Sequence, residues 1–213
     1  MINPKIVSVN CPDCHKDGEF RQYETINITE NPNLRNDIMT RQIFSYTCPH
    51  CGETIIVSYD CIYLDTENKH CIALISNEIP AIINSISAQD YTIRIVSNIN
   101  DFVEKIALFE DGIDDRVCEL CKLFLEESYE EQNNAELLAA YYSGRDMENE
   151  NIHFYLIGDD AGNCETTLSM QSYRNILEVF SGSDFDNKSE MEINSEWALL
   201  ALKNGIFNIE QDI

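Results

Sequence analysis

Two Cys-Pro-x-Cys tetrads, Cys11-Pro12-Asp13-Cys14 and Cys48-Pro49-His50-Cys51, constrain this chain more than any other feature. In each, the proline fixes one backbone φ angle and the tight turn aims two sulfurs at one point. Two such knuckles, 33 residues apart, can bring four thiolates together as a tetrahedral metal cage. The spacing therefore predicts Cys11, Cys14, Cys48 and Cys51 as metal ligands. Redox dithiols and unrelated core cysteines are the competing readings. Zn2+ suits a four-cysteine tetrahedral set and has no redox chemistry, so one structural zinc per chain is the expectation, with iron as a substitute. Four protein ligands leave no open position for water, which points to a staple rather than a catalytic centre. His15 and His50 adjoin ligands and are expected to point away from the metal. Gly52 follows the second knuckle, where a backbone commonly needs positive φ, whereas His15 stands at the corresponding place in the first.

The knuckles also bias the reading of the other cysteines. The start of the chain has no basic segment followed by an apolar stretch of the secretory kind, and no apolar run is long enough to span a membrane. A cytoplasmic protein with reduced thiols is the expectation, and paired Cys-x-x-Cys then reads as metal binding before disulfides. Cys118-Glu119-Leu120-Cys121 has the same spacing but lies in a helical pattern, so core packing is favoured. Cys61, Cys71 and Cys164 read as small buried hydrophobes.

The formal net charge is −24, from 38 acidic and 14 basic side chains. Residues 1–60 carry −3, residues 61–130 carry −9 and residues 131–213 carry −12. Phosphate backbones are bound by Lys and Arg that displace counterions, so a nucleic-acid-binding zinc ribbon is disfavoured. An acidic surface of this size suits a partner protein with a basic face. No phosphate-cradling G-x-x-x-x-G-K-[ST], no G-x-S-x-G and no H-E-x-x-H occurs. An enzyme whose active site lies outside the cage remains the alternative. The acids Glu110, Asp111, Asp114 and Asp115 flank a helix stop and a helix start, where capping explains them.

Periodicity supplies the elements. Alternation predicts strands over 20–28, 43–47, 54–64, 71–76 and 91–97, with a turn at 65–69 and a short helix over 34–40. The apolar period then lengthens. Residues 98–110 and a helix starting at Asp114 form two amphipathic helices, separated by Gly112. Residues 126–134 read as a linker or frayed helix end. Residues 135–142 read as helical, 152–157 and 166–170 as a hairpin, 171–180 as a helix, 181–192 as a loop and 195–203 as a terminal helix.

Beyond the cysteines, a wider pattern resembles the CpXC domain family, a bacterial group named for these two knuckles. The likeness runs through Ile26-Asn27, Asn31-Pro32-Asn33-Leu34-Arg35, the second knuckle with Gly52, and Tyr63-Leu64-Asp65. It continues through Arg94-Ile95-Val96, Phe102-Val103-Glu104-Lys105-Ile106 and Asp111-Gly112-Ile113-Asp114-Asp115-Arg116. It covers roughly residues 6–127. It implies a family domain at 1–130 followed by an acidic α/β extension at 131–213, with Cys11, Cys14, Cys48 and Cys51 at the defining positions, and no activity. The expected class is α+β: zinc-ribbon-like knuckles in an antiparallel β-sheet, then two amphipathic helices and the extension. The expected role is a non-enzymatic, zinc-binding protein-interaction module.

Overall fold

A computed structural model describes residues 4–76, 80–87, 89–159, 162–183, 185 and 189–206. The chain is α+β and divides into two compact units, Met1–Val103 and Glu104–Ile213.

The first unit opens with a hairpin of β1 (Lys5–Asn10) and β2 (Asp17–Gln22), whose loop is the first knuckle. β4 (Ser45–Thr47) and β5 (Thr54–Ile56) form a second hairpin around the second knuckle. Both hairpins are antiparallel. The remaining strands make a four-stranded sheet in the order β3 (Thr25–Asn27), β6 (Cys61–Asp65), β7 (His70–Leu74), β8 (Thr92–Val96). Here β6 and β7 are antiparallel, as the Asp65 turn implies, while β3 and β8 join in parallel. Asp65 holds that turn by accepting from the Glu67 and Asn68 N–H groups. Cys71, Ile72, Ala73 and Leu74 are all fully buried, the signature of a strand covered on both faces. Cys61 and Cys71 are accordingly core residues, as expected.

The unit differs from the sequence expectation in several places, the first being β1, where no strand was expected. The expected strand over 20–28 breaks at Tyr23–Glu24 into β2 and β3, so its two halves join different sheets. The expected strand over 54–64 likewise splits into β5 and β6. A short helix, α2 (Ala81–Ser87), was not foreseen; α1 (Arg35–Met39) was.

Helix α3 (Ile99–Glu110) carries the chain from one unit into the next. Asn98 caps its start by accepting the Asp101 N–H, and Gly112 turns the chain at φ +66°. In the second unit, α4 (Asp115–Asn133) is capped by Asp114, which accepts the Arg116 N–H. β9 (Leu137–Asp146), β10 (Asn151–Gly158) and β11 (Cys164–Ser169) form an antiparallel sheet in the order β11-β10-β9. Helices α5 (Met170–Ser181) and α6 (Ser195–Lys203) pack on α4. Val117, Leu120, Cys121, Phe154, Phe180 and Ala198 lie in the resulting core.

Four corrections belong here. Residues 126–133 are not a linker: α4 runs on to Asn133, because Tyr129 extends the Val117–Cys121–Leu125 stripe by one more turn and is buried. Residues 137–142 are strand rather than helix. Ala139 and Ala140 favour helix, but pairing of Tyr142 with Phe154 and Ala140 with Leu156 overrides that preference. Cys164 is exposed at the start of β11, not buried. Asp115, read from the sequence as a capping acid, stands at the start of α4 but is a fully buried partner of Lys105, while Asp114 makes the cap. The expected loop at 181–192 lies partly outside the described residues, as do Asp160 and Ala161 of the hairpin turn.

Candidate metal centre

Each knuckle is a six-residue loop closing an antiparallel hairpin, and the two loops share one hydrogen-bond scheme. In the first, Cys11 N–H donates to Lys16 O (3.0 Å) and His15 N–H to Cys11 O (2.9 Å). In the second, Cys48 N–H donates to Glu53 O (2.8 Å) and Gly52 N–H to Cys48 O (3.0 Å). The closing pairs are also linked by side chains, Asn10 Nδ2 to Asp17 Oδ1 and Thr47 Oγ1 to Thr54 Oγ1. His15 takes φ +58° and Gly52 φ +81°. The first knuckle thus keeps the geometry of the second even though a histidine must enter a region that suits glycine.

These turns bring the predicted residues together. The sulfurs of Cys11, Cys14, Cys48 and Cys51 all lie within 4.8 Å of one another. Cys11 Sγ is 3.6 Å from Cys51 Sγ, and Cys14 Sγ is 3.6 Å from Cys48 Sγ. Tetrahedral thiolates about 2.3 Å from a zinc ion are separated by about 3.8 Å, close to the two 3.6 Å contacts, so this donor set suits such an ion. Both of these contacts cross between hairpins, and a metal held here would tie the two together. All nine cysteines are free thiols. Among the described residues, this is the group of Cys, His, Asp and Glu side chains gathered closely enough to hold a metal.

The local electrostatics favour thiolate formation at one sulfur first. Burial opposes ionisation of Cys48, but the backbone N–H groups of His50 and Cys51 outweigh it and hold the thiol at about 6. At Cys51 the Glu53 N–H favours the thiolate, yet burial and the sulfurs of Cys11, Cys48 and Cys14 push it up to about 12. A divalent cation removes that mutual repulsion, because all four ligands can then ionise together.

His50 is outside the sulfur cluster as expected: its Nε2 lies 3.2 Å from Asp17 O, linking the second knuckle to β2. The exposed side chain of His15 also stands outside the cluster. Cys118 and Cys121 are buried in α4 and far above the ordinary thiol range because burial disfavours their thiolates.

Two residues that build the site carried no obvious mark in the sequence. Tyr46, on β4, is buried, and its ring meets Phe20 of β2 edge-on at 6.2 Å. Gly18, on β2, makes room for it: a Cβ there would fall 2.1 Å from Tyr46 Oη and 3.1 Å from Pro49 Cδ. The close approach of the hairpins depends on that missing side chain. Beside them, an open cleft of about 370 Å³ is lined by Glu19, Arg21, Tyr23, Asp37 and Tyr46 among others.

No curated protein and no solved structure matches the chain. The family model described as CpXC protein matches residues 9–122, a span that includes both knuckles, the four-stranded sheet and the start of α4. With more than half of its length matched and the defining cysteines gathered in one cluster, the chain belongs to the CpXC family.

Proposed function

We propose that this protein is a zinc-binding, non-enzymatic interaction module in which Cys11, Cys14, Cys48 and Cys51 hold one structural Zn2+, with iron as a possible substitute under other loading conditions. The observation that carries the reading is the convergence of four sulfurs from two separate hairpins, with two contacts of 3.6 Å crossing between them. Bound metal supplies a cross-link and neutralises four thiolates to a site of about −2. The chain's own residues do the rest. The proline turns aim the sulfurs, the knuckle N–H groups favour thiolates, and Gly18 lets the hairpins meet. Because the ligand set is closed, the staple fixes surfaces rather than activating water.

The interaction role rests on charge. A surface of −24 favours encounter with a basic protein face and opposes a polyanion. The family domain at 1–130 would present the stapled hairpins, and residues 131–213 would contribute half of the net negative charge. No described helix is long and apolar enough to cross a membrane, and the nine free thiols suit a reducing compartment such as the cytoplasm.

Metal analysis of the freshly purified, reduced chain tests the central claim. About one zinc per chain is expected, with loss of nearly all of it in Cys48→Ser. A wild-type chain that carries no metal and takes up none from added Zn2+ would refute it.

A further inference from the structure

We propose that the cleft beside the cage is a docking site for an extended, basic peptide segment, which pairs with the free edge of β2 at Glu19 and Arg21. The proposal rests on the interaction reading above and deepens it, giving the basic partner a place to bind and a conformation to bind in.

Ladder parity decides which backbone groups are free. In an antiparallel pair, the N–H and C=O of alternate residues point at the partner strand, and those between point away. The bond next to the first knuckle runs from Cys11 N–H to Lys16 O. Counting back in twos along the register, Gly18, Phe20 and Gln22 point their backbone groups at β1. Those of Asp17, Glu19 and Arg21 point to the opposite edge. Two contacts agree with this parity: Asp17 O lies 3.2 Å from His50 Nε2, and Tyr23 N–H donates to Tyr59 Oη (3.5 Å). The second hairpin follows the same rule. Val57 N–H donates to Phe44 O and Cys48 N–H to Glu53 O, so Phe44, Tyr46 and Cys48 face β5. The carbonyls of Ser45 and Thr47 face the other way.

The cleft is lined by both outer edges, through Glu19, Phe20 and Arg21 of β2 and Ser45, Tyr46 and Thr47 of β4. Three consecutive residues on each wall mark a strand met at its edge, since a face would offer every second residue. Yet β2 and β4 do not pair, and each belongs to its own two-stranded sheet. Side chains bridge them instead. His50 does so beside the knuckles, and Tyr59 Oη, which donates to Ile43 O (2.9 Å), does so at the far end. Between these bridges, the N–H and C=O of Glu19 and Arg21 have no partner among the described residues. Backbone groups left in this way are a template for one more strand.

The same walls set the charge of the occupant. Glu19 and Asp37 bring two carboxylates against the single guanidinium of Arg21. A segment with Lys or Arg at alternate positions meets those carboxylates while its backbone pairs with β2. An acidic segment would be repelled by them and by the field of a chain of net charge −24.

The test pans a displayed library of random peptides of about six residues, the length of an ordinary strand, against the full-length chain in the presence of Zn2+. Affinities of the selected peptides are then measured by fluorescence polarisation for wild type, Arg21→Pro and Arg21→Ala. Proline removes the edge-facing N–H and spares the β1 ladder, whose bonds run through Phe20 and Gln22. Alanine keeps the N–H. The selected peptides are expected to carry Lys or Arg and to bind Arg21→Pro about tenfold more weakly, as the loss of one hydrogen bond implies. Arg21→Ala should bind them at least as well as wild type. Amide exchange on wild type gives a readout that needs no variant to fold: the Glu19 and Arg21 N–H groups should exchange rapidly in the free chain and become protected with peptide bound. Basic peptides that bind without protecting these amides, or that bind Arg21→Pro as tightly as wild type, would overturn the proposal and leave the interaction reading standing. Selection of acidic peptides, or of none, would overturn both.

Discussion

Replacing Lys105 with Met should unfold the second unit at markedly lower denaturant. Lys105 Nζ is 2.9 Å from Glu119 Oε1 and 3.1 Å from Asp115 Oδ2, and all three side chains are buried. Lys122 joins the same group, 2.8 Å from Glu104 Oε2 and 3.1 Å from Glu119 Oε1. Three carboxylates and two ammonium groups thus share a buried space. Burial would lower Lys105, but Asp115 and Glu119 keep it raised, so it is charged at neutral pH. Removing it leaves two carboxylates facing a methyl group, and breaking a buried pair from one side costs about 3–5 kcal/mol. With a urea slope of about 2 kcal/mol per molar, the midpoint should fall by about 2 M. Trp197, the single tryptophan, lies in this unit, with its ring 6.3 Å from that of Phe180, so its fluorescence reports the transition. The pH dependence gives a second check. Glu119 is lowered because, against burial, Lys122 and Lys105 favour its carboxylate; the stability this adds is present above the unfolded value of about 4.3 and is lost as pH falls through the folded value. The gap between wild type and variant should therefore be full from pH 7 down to about pH 4.3 and shrink only below it. A midpoint change under about 0.5 M, equivalent to about 1 kcal/mol at that slope, would refute the view that the pair is a buried, charged interaction.

Two further substitutions probe backbone and packing. His15→Gly should stabilise the metal-free chain by roughly 0.5–1 kcal/mol, while Gly52→Ala should destabilise it by about 1–2 kcal/mol; both are measured by urea unfolding with chelator present, and nothing lies near the Gly52 side to confuse the comparison. Gly158→Ala should cost about 1–3 kcal/mol, because its Cβ would collide with the Tyr129 hydroxyl and displace its bond to Gly162 O; Trp197 fluorescence during denaturation reads the loss.

What the sequence reveals here follows the range of the interaction. The knuckles are local: proline, spacing and the flanking strands lie within six residues, so Cys11, Cys14, Cys48 and Cys51 were legible at once. Helix α6 was equally legible, since Asn194 accepts the Trp197 N–H at the expected start. Tyr46 and Gly18 were not, because their meaning is a contact between residues 28 apart on two hairpins. Glu104 and Lys105 fall off the apolar series Phe102, Val103, Ile106 and read as a solvent face; only the register of α4 against α3 shows Glu119 waiting for the lysine. β9 misled for a similar reason. Its alanines carry helix preference, and the strand exists only because β10 offers it a partner.

The places where local rules are broken form two groups with different chemistry. In the second unit, the buried charges of Glu104, Lys105, Asp115, Glu119 and Lys122 satisfy one another, so the chain needs nothing from outside to keep them. Around the cage the exceptions stay open. His15 sits in a left-handed turn, Tyr46 Oη has no partner, and the four thiols cannot all ionise together. A dication bound by four thiolates would offset the cost of holding both turns closed and remove the repulsion that holds Cys51 protonated. Strain that collects at one point is what a site shaped for a ligand should show. The buried ion cluster, already balanced, is by the same reasoning a device of the fold.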